Sequence, residues 1–199
     1  VAVDLWQEYD EAENPLDTGG RSSHLGNPKR ENGDTNFVAG VAIWLYKFGK
    51  QTDDNPTGIY ILSQKRSQFV DANKGLWDVS AGGHIDVGET PLKAAVREAR
   101  EEIGLTISES DLEEVFHNTI VEGLRHNYIY ICRGSSKLEV SDFHFNDMEV
   151  EEVRWVPLSE FEEFIDKYAK PNVRNHRDER DIVHQRILEN YRHQTADQK

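Results

Sequence analysis

Apolar positions fall into runs that fit strands and stripes that fit helices, separated by turn-rich segments. The longest run, residues 37–48, carries Val38, Val41, Ile43, Leu45 and Tyr46 and predicts a buried strand. Residues 51–58 (QTDDNPTG) are turn chemistry, and 59–66 form a second strand that closes a hairpin with the first. Upstream, 2–8 read as a strand, the next residues to Pro15 as a turn, and 18–36, rich in Gly, Ser, Asn and charge, as a flexible loop. Downstream, 76–84 are extended and Gly-rich, and 91–103 are helical. Strands follow at 113–122, 126–133 and 149–156, then helices at 158–169 and 176–193. The last helix carries Val183, Ile187, Leu188 and Tyr191 as one apolar stripe, with His184 at its edge. Intermixed strands and helices place the chain in the α/β (α+β) class, with a mixed sheet.

Composition narrows the class. The 199 residues suit one domain over 1–199, and four Trp, seven Tyr and eight Phe supply core material in a chain that is 30% charged. A net charge of −14 repels nucleic acid and anionic lipid, so no nucleic-acid partner is expected and an anionic ligand needs a metal or a local basic pocket. No segment has the run of roughly 18 apolar residues that a membrane span needs. Acidic Asp4 and Glu8 stand where a signal peptide is basic. One cysteine, Cys132 on a predicted strand, excludes an internal disulfide and points to a buried thiol in a reducing, cytoplasmic compartment. Oligomeric state is not legible.

The chemistry concentrates in residues 83–105, GHIDVGETPLKAAVREAREEIGL. Thr90 is placed to cap the helix, Pro91 takes its first position, and Gly104 ends it. Leu92, Ala95, Val96, Ala99 and Ile103 form the expected core face. Glu98, Glu101 and Glu102 form another, where their carboxylates converge. Like charges at that spacing cost a few tenths of a kcal/mol per pair. Two readings fit the helix alone: a cage of hard oxygen ligands for a divalent cation, or a solvated acidic face offset by Arg97 and Arg100.

The flanking residues complete the pattern G-x5-E-x7-R-E-U-x-E-E-x-G-U through Gly83, Glu89, Arg97, Glu98, Ala99, Glu101, Glu102, Gly104 and Leu105. Chance gives such a window on the order of once in 10⁸ or more. The chain thereby resembles the Nudix hydrolases, with Ala99 small where that family often has a larger aliphatic residue. The resemblance implies a mixed sheet between helices and a Mg²⁺ (or Mn²⁺) cofactor. The expected reaction cleaves the pyrophosphate linkage of a nucleoside diphosphate joined to another moiety, by attack of an activated water on phosphorus. It implies metal ligation by the Gly83 carbonyl, Glu98, Glu101 and Glu102, with Glu101 and Glu102 also catalytic. Glu89 and Arg97 would support the site, Arg97 by an ion pair to a glutamate. A basic residue at Arg66 often reaches phosphate in related enzymes, and here plain solubility fits equally well. For Lys65 and Lys74 solubility is the simpler reading, with Lys65 kept as a substrate-binding candidate. A further catalytic acid in many relatives precedes a strand that ends in a Trp turn. Counting six back from Trp155 gives Glu149, with Glu151 and Glu152 as competitors that strand alternation puts on opposite faces.

Residues 76–84 (LWDVSAGGH) and the N-terminal hairpin also resemble the isopentenyl-diphosphate isomerases of the same superfamily. Those enzymes need a cysteine two residues before His84, where this chain has Gly82, and metal histidines that would fall at Glu31 and Val38. An isomerase-like scaffold running hydrolase chemistry is the resulting expectation. His84 is either a substrate contact or a loop histidine without a role. A non-catalytic nucleotide-binding module is a third reading, disfavoured by the intact glutamates. His176, at the charged start of the last helix, is expected on the surface.

Overall fold

The structure, a computed structural model, describes residues 6–20, 36–120, 125–146 and 148–196. In chain order its elements are β1 (Trp6–Tyr9), β2 (Pro15–Gly20), β3 (Phe37–Phe48), β4 (Ile59–Arg66), β5 (Trp77–Asp78), β6 (Ala81–His84) and α1 (Pro91–Ile103). They continue with β7 (Leu112–Ile120), β8 (Arg125–Arg133), β9 (Val150–Pro157), α2 (Phe161–Tyr168), α3 (Pro171–Asn175) and α4 (Arg177–Ala196). The position of Glu31 lies outside the described residues, as do 2–5, 21–35 and 121–122 of the expected elements.

The long apolar strand β3 is the axis of the sheet. One of its edges pairs in parallel with β8 from Val38 to Tyr46. The other is served in turn by β1, β6 and β4, all antiparallel. Beyond β4 lies β9, with β5 sharing the β3-side edge of β4, and beyond β8 lies β7. Because side chains alternate across a strand, β3 feeds two cores. Ala39, Val41, Ile43 and Leu45 pack toward α1 with Ala95, Ala99 and Ile103. Trp44 and Tyr46 pack on the opposite face with Phe161, Phe164, Ile165, Val183 and Ile187 from α2 and α4. Covering both faces is what an unbroken apolar run requires, and it makes the expected mixed sheet between helices.

Helix α1 has the expected ends. Lys93 N donates to Thr90 Oγ1 at 3.3 Å, Pro91 opens the helix, and Gly104 sits at φ 69. A side chain at 104 would also meet the His144 carbonyl at 2.6 Å. Three details differ from expectation. Residues 18–20 belong to β2, which pairs with β1 through the Trp6↔Gly20 register. The expected last helix is found as α4, and a short helix that was not expected, α3, precedes it, with His176 (φ −90, ψ 67) breaking the helical path between them. On α1, Ala94 is buried, whereas Val96 is only half-buried.

Candidate active site

Strand β6 lies antiparallel on β3 and brings two glycines under α1. A Cβ at Gly83 would stand 2.2 Å from Glu98 Oε1, so the Glu98 carboxylate rests on glycine backbone. A Cβ at Gly82 would stand 2.5 Å from the Val41 carbonyl. No side chain fits there without moving strand backbone, so the cysteine that isomerase chemistry needs has no room in this arrangement.

Arg97 ties the site together. Its Nη1 donates to Glu98 Oε1 at 2.8 Å and Glu101 Oε2 at 3.1 Å, and its Nη2 to the His84 carbonyl at 2.8 Å and Glu89 Oε2 at 3.0 Å. Glu89 in turn accepts from Asp86 N at 3.2 Å. These charge-assisted bonds favour the guanidinium cation and raise the Arg97 pKa against the effect of burial. The three helix glutamates do not share one solvated face. Glu101 is half-exposed. Glu98 is nearly buried, and burial, opposed by Arg97, lifts its pKa to about 7, with the Glu101 and Glu149 charges adding to the rise. Glu102 is buried, correcting the expectation that it sits away from the core. Its Oε2 accepts from Gly82 N at 2.7 Å and Gln64 Nε2 at 3.0 Å. Burial, then the neighbouring Glu98, holds its carboxyl well above the ordinary range.

Among the described residues no three acidic, His or Cys side chains stand close enough to make a ready cluster for a metal ion. The donor chemistry nevertheless fits one. Gly83, Glu98, Glu101 and Glu102 offer hard oxygens, which suit Mg²⁺ or Mn²⁺. Glu102 is a buried carboxylate with no basic side chain in ion-pair contact among the described residues, and Gln64 Oε1 beside it is buried without a hydrogen-bond partner. Both are costly unless a cation and its hydration shell complete them.

A cavity of about 470 Å³ opens from Gly83 and His84. Glu149 and Arg66 line it, as do four residues without a role in the sequence reading: Asp78, Arg125, Lys170 and His176. Asp78 is buried and pairs with Lys170 at 2.5 Å and Arg66 at 3.7 Å, and Arg66 Nε also donates to the Ala72 carbonyl. His84 stacks on Trp6 with centroids 3.6 Å apart. Burial, and then Arg125, pushes its pKa down to about 3, so it is neutral at physiological pH. His176 keeps a partly exposed side chain, as expected, and also lines the cavity. Its pairing with Glu179 at 3.5 Å raises its pKa.

Lys65 is not brought to the cavity. It pairs with Glu151 at 3.2 Å and Glu152 at 3.8 Å on the far side of its strand. A register shift between Lys65 and Arg66 breaks the alternation of β9, so Glu151 and Glu152 are both exposed instead of facing opposite ways. Glu149, one residue before β9, lines the cavity, and its charge is felt by Glu98. Glu149→Gln is therefore expected to lower kcat by about 10²-fold or more, the scale of a lost acid–base group, while Glu151→Gln and Glu152→Gln keep wild-type turnover. Assays of the three variants at saturating Mg²⁺ decide between them, and loss confined to 151 or 152 would reverse the assignment.

The family model of the NUDIX domain matches residues 37–177. The chain is 31% identical over 142 residues to an uncharacterised Nudix hydrolase of Listeria innocua, covering 71% of this chain and 75% of that one. It is 26% identical over 161 residues to Nudix hydrolase 3 of Arabidopsis thaliana, covering 76% of this chain but 20% of that protein, so it spans about a fifth of that relative's length. In fold it resembles a crystal structure from Deinococcus radiodurans with a TM-score of 0.61 at 18% identity, covering 86% of this chain and 96% of the other. The match across 37–177, which takes in β3 to α3 and with them the signature glycines and glutamates, places this chain in the Nudix hydrolase family.

Proposed function

We propose that this chain hydrolyses a pyrophosphate linkage in a small molecule, a nucleoside diphosphate joined to another moiety, and that it needs Mg²⁺ or Mn²⁺ to do so. One observation carries the reading: Gly83, against which the Glu98 carboxylate rests, and Glu149 line a cavity whose walls also carry Arg66, Arg125 and Lys170 on a chain of net charge −14. Local cations against an acidic background select an anionic ligand. The volume is that of a small-molecule site.

The Gly83 carbonyl, Glu98, Glu101 and Glu102 would hold the divalent cation, which when bound neutralises diphosphate charge and acidifies a water. The protein's own groups do the rest. Arg97 fixes Glu98 and Glu101 in place, with Glu89 holding Arg97. Gly82 N and Gln64 orient Glu102. Glu149, at the cavity wall, would take the proton of the attacking water. Arg66 and Lys170 supply positive charge beside the phosphates. We also propose the cytoplasm as the compartment. The only thiol, Cys132, is buried and free, and burial lifts its pKa to about 11. No helix among the described residues is long and apolar enough to cross a membrane.

The test is a panel of nucleoside diphosphate compounds followed by ³¹P NMR with Mg²⁺. Cleavage of at least one at the anhydride, abolished by EDTA and restored by Mg²⁺ or Mn²⁺, is the expected result. Full turnover in EDTA would remove the metal, and an inert protein across the panel would favour the binding-module reading. Isopentenyl diphosphate belongs in the same panel. No dimethylallyl isomer should form, because Gly82 stands where the cysteine is needed and its close approach to Val41 leaves no space for one.

A further inference from the structure

We propose that Arg125 is the residue that grips a phosphate of the substrate at this site, in a cradle made by Gly40 and Gly83. The inference rests on the hydrolase reading above and assigns its anion-binding group. Three observations support it.

The first is position. The point where a Cβ would stand at Gly40 is 3.0 Å from Arg125 Nη2 and 3.2 Å from the Gly83 carbonyl oxygen. The guanidinium and the carbonyl therefore both lie close against the bare Cα of Gly40, an approach that a side chain at 40 would disturb. A carbonyl is a partner for a cation and a guanidinium is a partner for an anion, so a cation at the one and a phosphate at the other would be neighbours.

The second is unused bonding capacity. Arg66 and Lys170 already share Asp78. Among the described residues Arg125 has no carboxylate in ion-pair contact, and its buried Nε has no hydrogen-bond partner. Burial lowers its pKa with only a Coulombic contribution from Asp78 to oppose it. A desolvated guanidinium with an open donor is expensive in a folded chain, and a phosphate oxygen relieves that cost.

The third is orientation. Arg125 Nη2 lies 3.4 Å from His84 Nε2, which accepts its hydrogen bond in the Nδ1–H tautomer, and the ring is itself held flat against Trp6 at 3.6 Å. Register fixes the rest: Arg125 opens β8 opposite Val38, and Gly40 lies opposite both Asn127 and His84. Arg125 thus comes from rigid strand and not from a loop, which suits a fork that must meet phosphate in one geometry. His84 is then a positioning residue acting through Arg125.

The test uses inorganic pyrophosphate as the probe, with binding measured by calorimetry in the presence and absence of Mg²⁺. Arg125→Gln should weaken binding by about 10- to 100-fold, the scale of lost charge-assisted hydrogen bonds. Arg125→Lys, which keeps the charge but loses the fork, should fall between. The exposed Arg192→Gln is the control for net charge and should bind as wild type. Wild-type affinity in Arg125→Gln, or an equal loss in Arg192→Gln, would overturn the assignment. If the Arg125 variants fail to fold, the Nε–H resonance of Arg125 in the wild-type protein decides. A shift on pyrophosphate binding supports the role, and an unmoved resonance at saturation refutes it. The ³¹P panel separates the two ideas. Hydrolysis with unchanged KM in Arg125→Gln removes Arg125 and leaves the hydrolase standing, whereas pyrophosphate gripped by Arg125 in a protein that cleaves nothing leaves the grip and removes the hydrolase.

Discussion

Glu102→Gln should cost about 10²–10³ in kcat, the scale seen when a preorganised electrostatic group is lost, and it should do so without unfolding the protein. The substitution keeps size and shape. The new amide oxygen can still accept from Gly82 N and Gln64 Nε2, the two bonds the carboxylate makes at 2.7 and 3.0 Å. What disappears is a charge that the fold does not want for its own sake, since burial already holds that carboxyl above its ordinary range. In EDTA the variant should therefore melt no lower than wild type. The second signature is linkage. A ligand that binds only the folded state raises Tm, so wild type should gain Tm on adding Mg²⁺ and Glu102→Gln should gain less. Turnover within a few-fold of wild type would exclude Glu102 from the reaction. A large drop in melting temperature in EDTA would make it a structural residue.

The same residue marks where sequence reading reaches its end. The limits of α1, its caps and the β3–β4 hairpin were legible because each is decided within a few neighbours: Thr90 before Pro91, Gly104 at positive φ, turn residues between two apolar runs. The grouping of Glu98, Glu101 and Glu102 was legible as spacing, but the fate of each was not. Gly82 and Gln64, from strands far away in sequence, draw Glu102 inward, while Arg97 holds Glu101 at the surface. The places of Arg125, Lys170 and Asp78 in the cavity were not legible for a related reason. Each reaches the cavity through a long-range pairing, such as the parallel β3–β8 register, for which a single sequence carries no local signal. The additional helix α3 was partly readable, since Pro171 at its first position is a start signal. Arg180 lay three residues before Val183 and seven before Ile187, on the apolar stripe, where its charge argued against a buried place.

That buried place gives Arg180→Ala the largest expected effect on stability. Arg180 is 1% exposed. Its Nη1 donates to the Val173 and Arg174 carbonyls, and its Nε and Nη2 donate to Glu162, with Asp166 at 3.6 Å. One guanidinium thus closes the carbonyl end of α3, begins the packed face of α4, and ties both to α2. Removing it leaves two backbone carbonyls of α3 short of a partner and opens a gap beside Val183. Glu162 is 43% exposed, so water takes over that part of the pair and the loss stays below that of a fully buried bridge. About 2–4 kcal/mol remains, which in a domain of this size lowers Tm by about 5–15 °C. The effect should reach function, because α3 and its flanks carry Lys170, Val173 and His176 in the cavity wall. KM should rise several-fold, and kcat should change less, since the carboxylates hang from α1 on the opposite face of the sheet. Arg180→Met, which restores bulk but no hydrogen bond, should recover part of the stability and little of the KM. Thermal melts and steady-state kinetics on the two variants provide the check. An unchanged Tm would show that the α3–α4 junction is held by its apolar contacts alone, and a fall in kcat at constant KM would place Arg180 in the chemistry rather than in the wall.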